Sequence, residues 1–294
     1  MKHLAILLLG LLAFTACSKD NEEGMSPTLS EKKKDYIAKI EFFYKPLGNN
    51  VKDYEKAGEY TFTYDKQKRL VDCTFYYNEF DDGHKSNCKM SYSENQIEFH
   101  KLESTYKGKR RYPEDFFIIL DKQGKALQVN TYIYGSYLHS SNREYFKYID
   151  AFFKHDSLGH CTSFAQEGFP SIIPLVWKNG NIESILYHTK GGVSKINPKP
   201  SGIDENYIYT NIPNRSYPDL NLFFADYHSD GRWWSLWSDV VGFRSAHMLS
   251  RILLKERVYR TFSHKLDSKG RVSETIVDTG ISRLTKYIIT YANI

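Results

Sequence analysis

The chain has 294 residues and a formal net charge of +5 at pH 7, long enough for one large domain. So small a charge spread over that length carries no nucleic-acid signature, and no nucleic-acid partner is expected. Aromatic residues make up 15% of the chain, with 23 Tyr and 18 Phe, a bias that favours strands over helices.

At the N-terminus, Lys2 and His3 form a short basic region, Leu4 to Leu12 is apolar, and Phe14-Thr15-Ala16-Cys17 matches a lipoprotein cleavage pattern. The apolar run is too short for a transmembrane helix, which needs about 20 residues. The pattern predicts a signal peptide over residues 1–16 and a lipid on the Cys17 thiol, so the membrane is an expected partner through that lipid. Ser18-Lys19-Asp20-Asn21-Glu22-Glu23 resembles the surface-export signal of Bacteroidota-type lipoproteins, which implies the outer membrane with the protein facing outward. The alternative is an acidic, solvated linker. Residues 17–34, with Gly24, Ser26, Pro27 and Lys32-Lys33-Lys34, have little to bury and read as a flexible tether. Residues 35–294 remain as a single β-rich domain.

Strand patterns dominate that domain. Tyr36, Ala38, Ile40, Phe42 and Tyr44 alternate with Lys39, Glu41 and Lys45; Tyr60, Phe62 and Tyr64 alternate with threonines; Tyr287, Ile289 and Tyr291 repeat the pattern near the end. Period two marks strands with one buried face. Between them recurs a turn that opens on Asp65, Asp121, Asp156 and Asp267, with Gly124, Gly159 and Gly270 three residues on in the last three copies. Trp177-Lys178-Asn179-Gly180-Asn181-Ile182 is a tighter relative. Asp accepts backbone N–H bonds in a type I turn, and Gly takes the left-handed position that returns the chain. Lys68 stands where the first copy should have Gly. The copies are unequally spaced, unlike a solenoid or propeller. The expected fold is therefore all-β: an antiparallel hairpin meander forming a barrel or half-barrel, interrupted by loops such as Lys195 to Pro218.

One stretch departs from this pattern. Trp233, Trp237, Val241, Met248, Ile252 and Leu253 fall near helical spacing and predict a helical segment near 232–258. Lys107, Lys109, Arg110 and Arg111 read as a solvated loop. Apart from Cys17, the cysteines are Cys73, Cys88 and Cys161. Cys73 and Cys88 flank a turn at Asp81-Asp82-Gly83 and could form a disulfide across one hairpin; the alternative is three buried free thiols.

The lipobox, the Asp-x-x-Gly hairpins, Trp177-Lys178-Asn179-Gly180-Asn181-Ile182 and the closing Lys286-Tyr287-Ile288-Ile289-Thr290-Tyr291 resemble a family of Bacteroidota lipoproteins of unknown function with a porin-like fold. The resemblance covers most of the chain after the tether. It implies a large antiparallel, barrel-like sheet and no defined activity. A pore is not implied, because strand outer faces with Lys39, Glu41 and Lys45 would be costly against lipid.

No G-x-S-x-G, H-E-x-x-H or phosphate loop is present, so no catalytic residues and no cofactor are expected. No spacing suits a zinc site, and Asp226 to Gly231 is a poor calcium loop, with Trp237 where a bidentate Glu belongs. Three of the four tryptophans lie in Trp233-Trp234-Ser235-Leu236-Trp237. Trp233 and Trp237 are one helical turn apart and read as core aromatics, which leaves Trp234 as the candidate ligand-binding residue, for a sugar ring above all. The reading is a tethered, non-catalytic binding or structural module with a glycan or protein ligand. Its rivals are a glycan hydrolase and a barrel carrier of an apolar ligand.

Overall fold

The computed structural model describes residues 34–46, 53–77, 84–101, 104–106, 109–111, 114–134, 145–166, 172–186, 205–225, 235–280 and 283–294. The expected signal peptide, Cys17 and almost all of the tether lie outside them, as do the segments around Gly83 and Gly231.

The wall begins as a meander: β1 (Asp35–Pro46), β2 (Glu55–Tyr64), β3 (Leu70–Tyr77), β4 (His84–Tyr92) and β5 (Gln96–Lys101). A small hairpin, β6 (Ser104–Tyr106) with β7 (Lys109–Arg111), branches off where Thr105 pairs with Lys85. The stretch expected as a basic loop is thus partly strand. The wall resumes with β8 (Glu114–Leu120), β9 (Ala126–Tyr134), β10 (Tyr145–His155), β11 (Cys161–Gln166), β12 (Ile173–Lys178), β13 (Asn181–Ile185) and β14 (Glu205–Pro213). Lys195 to Pro218 is therefore not one loop, because Glu205–Pro213 pairs with both of its wall neighbours. The two-residue β15 (Ser216–Tyr217) belongs to an insertion, after which β16 (His247–Leu254), β17 (Arg257–Leu266), β18 (Val272–Asp278) and β19 (Arg283–Tyr291) complete the wall. β19 pairs antiparallel with β1 from Ile37↔Tyr291 to Pro46↔Arg283. The result is a closed, antiparallel, 16-stranded barrel with no free edge.

The pleat explains which residues are inside. Phe42, Tyr60, Phe62, Phe99, Ile118 and Phe153 are buried in the lumen, while Lys56 on the outer face bridges Glu41 and Glu59. A bulge between Ile37 and Lys39 resets the alternation in β1. Ile37 is therefore buried and Ala38, placed on the apolar face by simple alternation, is not.

Strand order puts the tight turns 65–69, 93–95, 121–125, 156–160, 179–180 and 267–271 at one end of the barrel, here the turn end. β1 starts there and the 214–246 insertion enters there. Each Asp turn is built alike. The Asp267 amide donates to the Arg271 carbonyl (2.8 Å), and Asp267 Oδ1 accepts the amides of Lys269 and Arg271 (2.9 Å each). Asp65, Asp121 and Asp156 make the same closing bond. A one-residue register shift precedes each of these four turns, the bulge that follows from a type I turn closed by a left-handed residue.

A 16-stranded barrel leaves an aqueous channel unless something fills it. Here the insertion fills it. Helix α1 (Leu220–Ala225) carries Phe223, which meets Tyr60 at 4.9 Å and Tyr287 at 6.0 Å between ring centres. Trp237 stands against Phe99 (5.3 Å) and Phe116 (5.9 Å), just before helix α2 (Ser238–Val241). Phe243 packs on Phe153 and Phe164. These partners come from β2, β5, β8, β10, β11 and β19, all around the wall, so the insertion is a plug. Among the described residues the helical segment expected near 232–258 is found at 235–236 and Ser238–Val241, while His247–Leu254 and the start of β17 are strands of the wall.

Candidate ligand pocket at the turn end of the barrel

The plug is held at its entry by a buried polar cluster. Asp219, fully buried, caps α1: its Oδ1 accepts the amides of Asn221 (2.8 Å) and Leu222 (3.2 Å), and Oδ2 accepts Asn214 Nδ2 (3.1 Å). Arg244 donates to the Ser216 carbonyl (2.7 Å) and Ser238 Oγ (3.2 Å), pairs through Nε with Asp239, and approaches Asp219 at 3.8 Å. Burial raises the Asp219 carboxyl above its ordinary range despite Arg244. Asp239 goes the other way: burial pushes its pKa up, but Arg244 and Lys34 together outweigh that and hold it down.

Above this cluster a half-open pocket of about 210 Å³ lies between plug and wall, with volume for about seven waters, or one sugar ring. Tyr217, Trp237 and Asp239 line its plug side; Tyr36 and Tyr92 come from β1 and β4; Lys68 and Arg69 come from the β2–β3 turn. Lys34, immediately before β1, closes one side and pairs with Asp239 at 2.8 Å. Three cations sit over three tyrosines here: Lys34 over Tyr217 (5.3 Å), Lys68 over Tyr36 (5.8 Å) and Arg69 over Tyr92 (4.8 Å). Arg69 is also bound to Asp65 within its own turn (2.7 Å). Lys68 has no carboxylate in reach among the described residues. The floor is fixed by Tyr64, whose hydroxyl donates to the carbonyl of Ile37 (2.8 Å) or Tyr217 (2.9 Å), and by Tyr92, which donates to the Leu70 carbonyl at 2.7 Å. Burial pushes the Tyr92 hydroxyl up to about 12, so it stays protonated.

The expected site residues fall as follows. Trp237 is 3% exposed and belongs to the core, with one edge on the pocket. Trp233, Trp234 and Cys17 lie outside the described residues. Cys73 and Cys88 do oppose each other in the β3–β4 register, but as buried free thiols packed like small apolar side chains rather than as a disulfide. Cys161 is likewise buried and free. Among the described residues no three His, Cys, Asp or Glu side chains are grouped to hold a metal, and no helix is long and apolar enough to cross a membrane.

Sequence reasoning missed the pocket because its lining comes from five separate segments. One signal pointed to it. Lys68 replaces glycine in the turn motif and adopts φ +61°, an uncommon state for a side-chain-bearing residue, and that residue stands on the pocket rim.

No family model matches the chain, and no curated protein does. Among solved structures, the fold is similar to a porin-like protein from Bacteroides uniformis at 14% identity and a TM-score of 0.49, covering 87% of this chain and all of that one. A porin-like protein from Bacteroides vulgatus is similar at 13% identity and a TM-score of 0.40, covering 88% of this chain and all of that one.

Proposed function

We propose that the chain is a lipid-anchored, surface-displayed, non-catalytic binding module. Its barrel is a filled scaffold, and its turn-end pocket takes a sugar ring that bears an anionic group. The observation that carries this reading is the three cation–tyrosine pairs around one cavity of sugar size. The tyrosines give the cavity aromatic walls against which a pyranose ring can pack, and the cations held over them answer a carboxylate or phosphate on it. The rival readings lose support on specific grounds. A carrier of apolar ligands needs an empty lumen, and Phe223, Trp237 and Phe243 occupy this one. A glycan hydrolase needs two carboxylates facing one cleft. Asp239 alone lines the pocket among the described residues, and Asp219 is sealed beneath it.

The test is a glycan-array screen of the unlipidated chain from Ser18 onward, beside Lys68→Asn. Asparagine tolerates the left-handed turn position but removes the charge. Acidic glycans should be retained over neutral ones, and Lys68→Asn should weaken them about tenfold, the size of one lost charge-assisted contact. Equal retention of neutral glycans, or an unchanged variant, would overturn the reading.

A further inference from the structure

Lys34 is both a wall of the pocket and the residue at which the stretch from Cys17 enters the barrel. Lys34 follows Cys17 by 17 residues in the sequence, so of the two ends of the barrel the turn end is the one nearest, along the chain, to a lipid on Cys17. The turn tips are suited to an anionic surface. Lys66, Lys122 and Lys269 are exposed there, while the Asp of each of those turns is engaged by its own turn amides. Leu158, 67% exposed, projects from the tip of a fourth turn, as a side chain that enters a membrane interface would. Inside the ring of tips, Asp239 is neutralised by Arg244 and Lys34, and Asp65 by Arg69. The Lys68 ammonium is left as surplus charge over Tyr36.

We infer that the pocket takes the phosphorylated sugar headgroup of a lipid in the same membrane that anchors the chain, so that the barrel docks turn end down. The end carrying the connections 47–54, 135–144 and 186–204 then faces outward. This inference rests on the lipid-anchor and pocket readings above. Exposed lysines steer the turn end to the surface through charge that salt screens, and the pocket supplies recognition of the ring and its phosphate.

Co-sedimentation of the unlipidated chain from Ser18 onward tests this. The vesicles are phosphatidylcholine alone, phosphatidylcholine with phosphatidylglycerol, and phosphatidylcholine with a phosphorylated disaccharide lipid. Inorganic phosphate and a free hexose phosphate serve as competitors. The chain should favour the disaccharide-lipid vesicles, and the hexose phosphate should compete better than inorganic phosphate. Lys68→Asn should cost about tenfold on those vesicles only. Lys122→Gln and Lys269→Gln should each cost about fivefold on both anionic vesicles. Equal binding to both anionic vesicles with Lys68→Asn silent would overturn the inference, since only surface charge would then be read. Binding of free acidic sugars without binding to any vesicle would overturn it and leave the pocket reading standing. Binding to neither would overturn both.

Discussion

Lys68 occupies a position that three sister turns give to glycine. Gly124, Gly159 and Gly270 take φ of +75°, +80° and +73° and Lys68 takes +61°, and each donates its amide to the carbonyl of its own turn's Asp. A side chain there costs about 1 kcal/mol relative to glycine. Gly270 has open space around its would-be Cβ, so Gly270→Ala isolates the backbone cost and should lower stability by about 1 kcal/mol in a urea titration. Lys68→Gly should raise stability by a similar amount while weakening acidic-glycan retention as Lys68→Asn does. A Lys68→Gly chain no more stable than the parent would mean that the lysine is not held there against its backbone preference.

Elements set the next scale, and here the legibility of the sequence divides. The Asp-x-x-Gly turns were readable because each is a local chemical device: one carboxylate, two amides and one left-handed residue. The strands were readable wherever one face is apolar. The helix expected near 232–258 stops at Val241, and the pattern misled only beyond it, because apolar residues at spacings of one, three and four arise without a helix. In β16 Met248, Leu249 and Ile252 are all buried, two of them consecutively, as the strand leaves the plug and joins the wall beside shifted register with β14. Trp237, by contrast, sits in the plug itself, where burial depends on barrel closure and not on local period. It touches Phe99 and Phe116 from two different wall strands. Trp237→Ala should therefore cost about 3–5 kcal/mol, as for other buried aromatics, read from denaturant midpoints. A loss below about 1 kcal/mol, the ordinary surface range, would show that the plug does not anchor the fold.

At the scale of the whole molecule, closure and filling decide how the protein can meet a membrane. The antiparallel meander was legible in the turns, but the plug was not, since nothing local marks the 214–246 insertion as the tenant of a lumen. With it in place the barrel is apolar within, and its outer face mixes exposed apolar side chains such as Tyr76, Phe152 and Ile208 with ion pairs that a membrane-spanning wall would not carry. Lys56 with Glu41 and Glu59, and Lys265 with Glu274, lie on outward faces. A lysine on the lipid-facing side at the bilayer midplane costs about 2–4 kcal/mol, and this wall carries several. On the function proposed above, two routes to the membrane then remain: a lipid on Cys17, and charge at the turn end that high salt screens. Cys17→Ala should incorporate no labelled fatty acid in the producing cell and should leave the membrane fraction in high salt without detergent. The recovered protein should remain monomeric and dissolved, and should open no conductance when added to a planar bilayer. Cys17→Ala that stays unprocessed keeps its apolar leader, so the informative fraction is the leader-free chain: its retention after a high-salt wash, or discrete channel openings, would instead mean that strands contact lipid and that the charged outer face has been assigned to the wrong solvent.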